Sequence, residues 1–177
     1  ENDSENTCWN RGSIVNGVEV KKDGGFIQDK NSCTRRFNSY PAVVSLRTPT
    51  GLCTGTFIND YTVLSAAHCF KELTFDESGK IDIDVVIEEL KAVSTQVIIH
   101  PQFLNEGINY KYDMAVVFFP RGTSSHFIKL SKRPPTIFEE VQLIGFGNNR
   151  FDSGVMKGGG IKRYGENRLE YIGPDYL

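Results

Sequence analysis

No apolar run in this 177-residue sequence approaches the ~20 residues of a bilayer-crossing helix, and no secretory signal stands at Glu1. An exported form has therefore already lost its leader. An excess of either charge is missing too. Twenty Lys and Arg face 22 Asp and Glu, for a net charge of −2. A near-neutral balance offers no reason to expect nucleic acid or a membrane surface as partner. No apolar repeat of helical period is long enough for an amphipathic helix, residues 86–92 being too short. There is no internal repeat and no low-complexity tract. Gly158-Gly-Gly160 lies in polar surroundings without the strand and helix that frame a phosphate cradle, so it reads as a surface loop. The acidic stretch 76–84 does not alternate as a twelve-residue calcium loop does, and reads as a solvated face. No metal and no cofactor are expected.

What is present is ordinary in amount and informative in order. Charged residues at 24% and hydrophobic residues at 39% suit a soluble globular chain with a real core, in one or two small domains. Four cysteines are consistent with two disulfides and an oxidising compartment, and allow three pairings. Residues 1–13 are polar and aperiodic, an extended leader. Residues 16–38 read mainly as loop. From Tyr40 onward, short β-forming segments at 41–48, 53–58, 62–66, 81–87, 93–99, 115–119 and 141–146 are separated by turn residues. That spacing predicts an all-β barrel or sandwich.

The chemistry is concentrated in Thr62-Val-Leu-Ser-Ala-Ala-His-Cys69, where a short apolar strand delivers a histidine beside a cysteine, with Cys53 sixteen positions earlier. A neutral imidazole is the usual general base near pH 7. Asp113 opens the apolar run Asp-Met-Ala-Val-Val-Phe-Phe119, and a carboxylate there needs a polar partner. It follows His68 by 45 residues. That is also the histidine-to-aspartate separation of the chymotrypsin-type triad. His100 precedes a proline and reads as structural or exposed; His126 sits in a Ser/Thr-rich turn with no partner evident.

These motifs resemble those of the trypsin/chymotrypsin family of serine endopeptidases. Ile14-Val-Asn-Gly17 resembles the N-terminus such proteins expose on activation, and Tyr40-Pro-Ala-Val-Val-Ser-Leu46 their first core strand. Cys53 through Cys69 resembles the disulfide-closed histidine loop. His100-Pro-Gln-Phe103 and Asp113-Met-Ala-Val-Val117 resemble the segment leading to the aspartate and the aspartate strand; 141–147 resembles the first strand of the second barrel. The histidine and aspartate motifs are specific, and the others support them by their order. An apparent insertion lies between Val20 and Phe37.

The resemblance implies two six-stranded antiparallel Greek-key barrels with the active site in the cleft between them. It divides the chain into a leader at 1–13, an N-terminal barrel at 14–135 and the start of a C-terminal barrel at 136–177. It implies a secreted (extracellular or periplasmic) endopeptidase acting on protein or peptide substrates through an acyl-enzyme, with His68 as base and Asp113 orienting it. Tyr110 matches a non-primed subsite and Leu52 the primed side. It pairs Cys53 with Cys69 and favours Cys8 with Cys33, although either of the latter two has the alternative of a cysteine beyond Leu177.

The nucleophile belongs roughly 93 positions after the aspartate, past Leu177. Ser153, in Asp152-Ser-Gly154, is only 40 residues beyond Asp113 and lacks the flanking glycines of an oxyanion loop. The expectation is thus an unactivated precursor or N-terminal portion, completed by a continuation or complementary chain that carries the serine. Its activating protease would cut between Ser13 and Ile14. Ser13 departs from the basic residue of a trypsin-type cut; Arg11, two positions earlier, leaves open a cut followed by trimming, or a different activation. The rival reading is a non-catalytic homologue that serves as a binding or regulatory module.

Overall fold

The computed structural model describes residues 18–20, 26–27, 40–70, 76–77, 79–81, 83–105, 112–148, 150–153, 155–157 and 159–172. Cys8, Ser13, Ile14, Cys33 and Tyr110 lie outside the described residues. The fold is all-β. Every strand pairing among the described residues is antiparallel. Among the described residues, the helical segments include a five-residue α1 (Pro101–Asn105) and two 3₁₀ turns, Ala67–Phe70 and Glu88–Leu90.

Two compact units can be told apart. The first, Pro41–Leu130, holds β3 (Val43–Thr48), β4 (Gly51–Phe57), β5 (Thr62–Ser65), β6 (Lys80–Ile81), β7 (Val86–Ile87), β8 (Ala92–Val93), β9 (Gln96–Ile99) and β10 (Ala115–Phe118). They form a single sheet in the order β6-β9-β10-β5-β4-β3-β7-β8. Alternation gives this sheet its inner face. Val97 and Ile99 of β9 and Ala115 and Val117 of β10 are buried, while the residues between them are half-buried. These side chains meet Leu46, Phe57, Val63 and Phe70 in one continuous core. Gly55, mid-strand in β4, gives way to that core: a Cβ there would overlap the Val63 side chain and stand 2.8 Å from Leu46 Cδ1.

Two predicted strands are each divided, and Ser94 is the reason. The run 81–87 becomes β6 and β7, which pair with different partners, and 93–99 becomes β8 and β9. The Ser94 hydroxyl accepts from the Val85 N–H at 2.8 Å and donates to the Ile83 carbonyl at 3.2 Å. The Ser94 N–H donates to the Val85 carbonyl at 2.9 Å. A side chain thereby replaces ladder hydrogen bonds where both runs break.

The second unit comprises the described parts of Glu1–Tyr40 and Ser131–Leu177. Its sheet has the order β11-β14-β1-β2, built from β1 (Val18–Val20), β2 (Phe26–Ile27), β11 (Glu140–Gly145) and β14 (Arg163–Arg168). The strands β1 and β2 fall in the stretch read as loop, and β1 pairs with β14 through Val18↔Tyr164. A separate hairpin joins β12 (Arg150–Asp152) and β13 (Val155–Lys157). Ser153 occupies its turn, exposed and with φ +52°. Tyr40 packs near Tyr164, with ring centroids 6.3 Å apart. Burial, followed by the neighbouring Tyr164 and Glu166, pushes the Tyr40 phenol up to about 12.

Candidate active site

The site begins where two neighbouring strands end. Antiparallel pairing of β5 with β10 sets Ser65 opposite Ala115. The C-terminal end of β5 and the N-terminal end of β10 therefore lie side by side. Beyond Ser65 the chain tightens into the 3₁₀ turn Ala67–Phe70, which buries Ala67, Cys69 and Phe70. The same turn leaves the His68 side chain 51% exposed. Three buried residues of four fix the backbone and direct the imidazole outward. Two tethers hold this segment to β4. The Ser65 hydroxyl donates to the Thr54 carbonyl at 2.9 Å, and Cys53 is disulfide-bonded to Cys69. The histidine-loop disulfide implied by the resemblance is therefore formed.

Asp113 arrives from just before β10, its side chain only 15% exposed. One carboxylate oxygen, Oδ2, lies 2.6 Å from His68 Nδ1, and the other, Oδ1, accepts from the His68 backbone N–H at 2.7 Å. Because an ionised carboxylate accepts but does not donate, Nδ1 carries the hydrogen in the neutral ring. Nε2 is left with a free lone pair. The arrangement can take a proton at Nε2 and stabilise the resulting imidazolium through the adjacent negative charge.

The other imidazoles are engaged elsewhere. His100 stacks on Tyr112 with ring centroids 5.0 Å apart and planes 10° from parallel. Its Nδ1 accepts from the Gln102 N–H at 3.2 Å, its carbonyl accepts from the Phe103 N–H at 3.0 Å, and its own N–H donates to the Met114 carbonyl at 2.9 Å. It thus supports the segment leading to Asp113. His126 does have a partner, the Ser125 hydroxyl, 3.1 Å from its Nδ1.

A hollow of about 260 Å³ adjoins His68, lined by Thr48, Thr50, Gly51, Leu52, Cys53, His68 and Cys69. Leu52 is 41% exposed on its rim. Of the sequence-predicted site residues, His68, Asp113, Leu52, Cys53 and Cys69 are thus brought together. Thr48 and Thr50 went unnoticed in the sequence; the one available signal was a Thr-Pro-Thr-Gly turn just before Cys53. Among the described residues no group of three or more His, Cys, Asp or Glu side chains is placed to hold a metal ion, and no helix is long and apolar enough to cross a membrane.

Comparison with known proteins agrees with this geometry. The trypsin family model matches residues 29–168. Trypsin II-P29 of Gallus gallus is 36% identical over 96 residues, covering 52% of this chain and 39% of that protein. Serine protease 1 of Homo sapiens is 30% identical over 117 residues, covering 63% and 46%. The trypsin of Sus scrofa is 28% identical over 116 residues, covering 64% and 50%. The matched part of the chain thus spans half or less of the length of each of these relatives. With a matched segment that runs through both the histidine and the aspartate, the chain belongs to the trypsin family.

Proposed function

We propose that this chain supplies the general base and its orienting carboxylate to a trypsin-like serine endopeptidase. The observation that carries the reading is the double contact of Asp113 with His68, at Nδ1 and at the backbone N–H. In the reaction, His68 Nε2 takes the proton of a serine hydroxyl as that oxygen attacks the scissile carbonyl. The resulting imidazolium then gives the proton to the leaving amine. An acyl-enzyme remains, and His68 repeats the cycle with water. Asp113 holds the tautomer and orientation throughout. The serine, its oxyanion hole and the pocket for the residue before the scissile bond come from a continuation beyond Leu177 or from a complementary chain.

The precursor reading extends this proposal. Cleavage between Ser13 and Ile14 by an activating protease frees the Ile14 amine, and a Cys8–Cys33 bond keeps the leader attached afterwards. Tyr110 and Leu52 contact substrate on opposite sides of the scissile bond. The Cys53–Cys69 disulfide supports secretion into an oxidising compartment.

The test is covalent labelling of the full-length, processed protein with a fluorophosphonate probe. Labelling of one serine, abolished in a His68→Ala variant, is the expected result. A correctly processed protein that takes up no probe overturns the enzymatic reading and favours a binding or regulatory module. Amino-terminal sequencing of the active form should begin at Ile14.

A further inference from the structure

We propose that Thr50 is a positioning residue, whose hydroxyl holds the hairpin tip of the hollow against the turn that carries His68. The proposal rests on the protease reading above for its catalytic consequence, but not for its geometry. Strands β3 and β4 pair with Thr48 opposite Gly51, so Pro49 and Thr50 are the two residues of the hairpin turn. The Thr50 hydroxyl leaves the hairpin and donates to the Cys69 carbonyl at 3.0 Å. A carbonyl has no hydrogen to give, so the direction of this bond is fixed.

Thr48 completes the arrangement. Its Oγ1 lies 3.0 Å from Thr50 Oγ1 and 3.1 Å from the Gly51 carbonyl. With the Thr50 hydrogen committed to Cys69, the single Thr48 hydrogen is shared between the Gly51 carbonyl and Thr50 Oγ1. The result is an ordered run from buried Thr48 to Thr50 to the main chain one residue past His68. Cys53 and Cys69 are joined covalently at one side of the hollow; the Thr50 hydroxyl joins the same turn to the hairpin tip. Without that hydroxyl, residues 49–52, including the exposed Leu52, lose their direct hydrogen bond to the His68 turn. The hollow then loses a defined width, and a peptide segment lying in it after the scissile bond loses a preformed wall.

Two measurements on the full-length processed protein test this, each with Thr50→Val and Thr50→Ser. The first compares two peptides that share the residues before the scissile bond. One carries a small chromogenic amine as leaving group; the other extends three residues further. In Thr50→Val the ratio of kcat/KM for the extended over the short substrate should fall about fivefold, the scale of one hydrogen bond, through KM. Thr50→Ser should restore the ratio. An equal loss on both substrates, or a serine variant as impaired as the valine variant, overturns the proposal.

The second measurement follows reduction of the Cys53–Cys69 bond by a water-soluble phosphine, read by mass mapping of the alkylated cysteines. Thr50→Val should speed reduction several-fold and Thr50→Ser should not; an unchanged rate in Thr50→Val overturns the latch. This second readout needs no turnover. A wild-type protein that cleaves neither peptide therefore refutes the protease reading, while the phosphine rates still decide the role of Thr50.

Discussion

Asp113 grips His68 at two different places, one carboxylate oxygen on the ring Nδ1 and the other on the backbone N–H. The backbone contact fixes where the residue sits, and the ring contact fixes how the imidazole turns and which nitrogen keeps its lone pair. Both are made by a side chain that is mostly buried, so water competes weakly for either.

Asp113→Asn separates geometry from charge. The amide keeps one acceptor and presents a donor in place of the other, which favours the tautomer protonated at Nε2. Peptidase activity of the full protein should drop on the order of 10⁴-fold, as in the chymotrypsin-type template. The strongly deshielded Nδ1 proton should also vanish from the NMR spectrum. A variant that keeps a tenth of wild-type kcat/KM contradicts the role given to Asp113.

Gly55→Ala tests how tightly β4 lies against its neighbours. The added methyl meets Leu46 and Val63, both fully buried, so the core has to move. The expected cost is about 1–3 kcal/mol. Thermal unfolding should show a Tm lower by roughly 2–4 °C for each kcal/mol. A Tm within one degree of wild type means that the side chains there repack freely.

Acid should weaken the 133–139 segment in a defined window. Hydrogen bonds from the Arg133 guanidinium, and then from the Thr136 backbone N–H, hold the Glu139 carboxyl down at about 2, against an ordinary 4.5. A carboxyl depressed in the folded state contributes stability that is fully present above 4.5 and is lost as pH falls toward 2. The stability difference between wild type and Glu139→Gln should therefore shrink steadily over that interval in urea titrations. A difference that stays constant from pH 5 to pH 2 removes Glu139 as its source.

The inner strands were readable because their chemistry is local. Segments such as 43–48 and 115–118 combine β-branched residues with alternating burial, and their strands appear within two residues of expectation. His68 and Asp113 were readable from residue type, neighbours and spacing. The breaks at 83–85 and 94–95 were not, since Ile-Asp-Ile-Asp-Val alternates as a strand does, and the Ser94 hydroxyl that interrupts it comes from elsewhere in the sequence. Strand β14, Arg-Tyr-Gly-Glu-Asn-Arg, was missed for another reason. It carries few β-formers and buries the adjacent Arg163 and Tyr164, so no alternation marks it. Its conformation is set by β11 and β1 on either side. The Thr48–Thr50 hydroxyl run was hidden in the same way, its acceptor lying nineteen residues downstream.

The pairing of Ser65 with Ala115 also decides what in this protein is free to vary. His68 lies three residues past Ser65, and Asp113 two residues before Ala115. Of the 44 residues between them, Cys69 and Phe70 anchor the His68 turn and His100 supports the approach to Asp113, while the register of β5 against β10 sets where the two meet. Loops between those two short counts can therefore be lengthened, shortened or exchanged for grafted segments while base and carboxylate stay in place. A single residue inserted within β10 does the opposite, turning Asp113 to the other face of the sheet. The pair of strand ends behaves as a cassette: tolerant of change in the loops threaded between its ports, and intolerant of any slip within them.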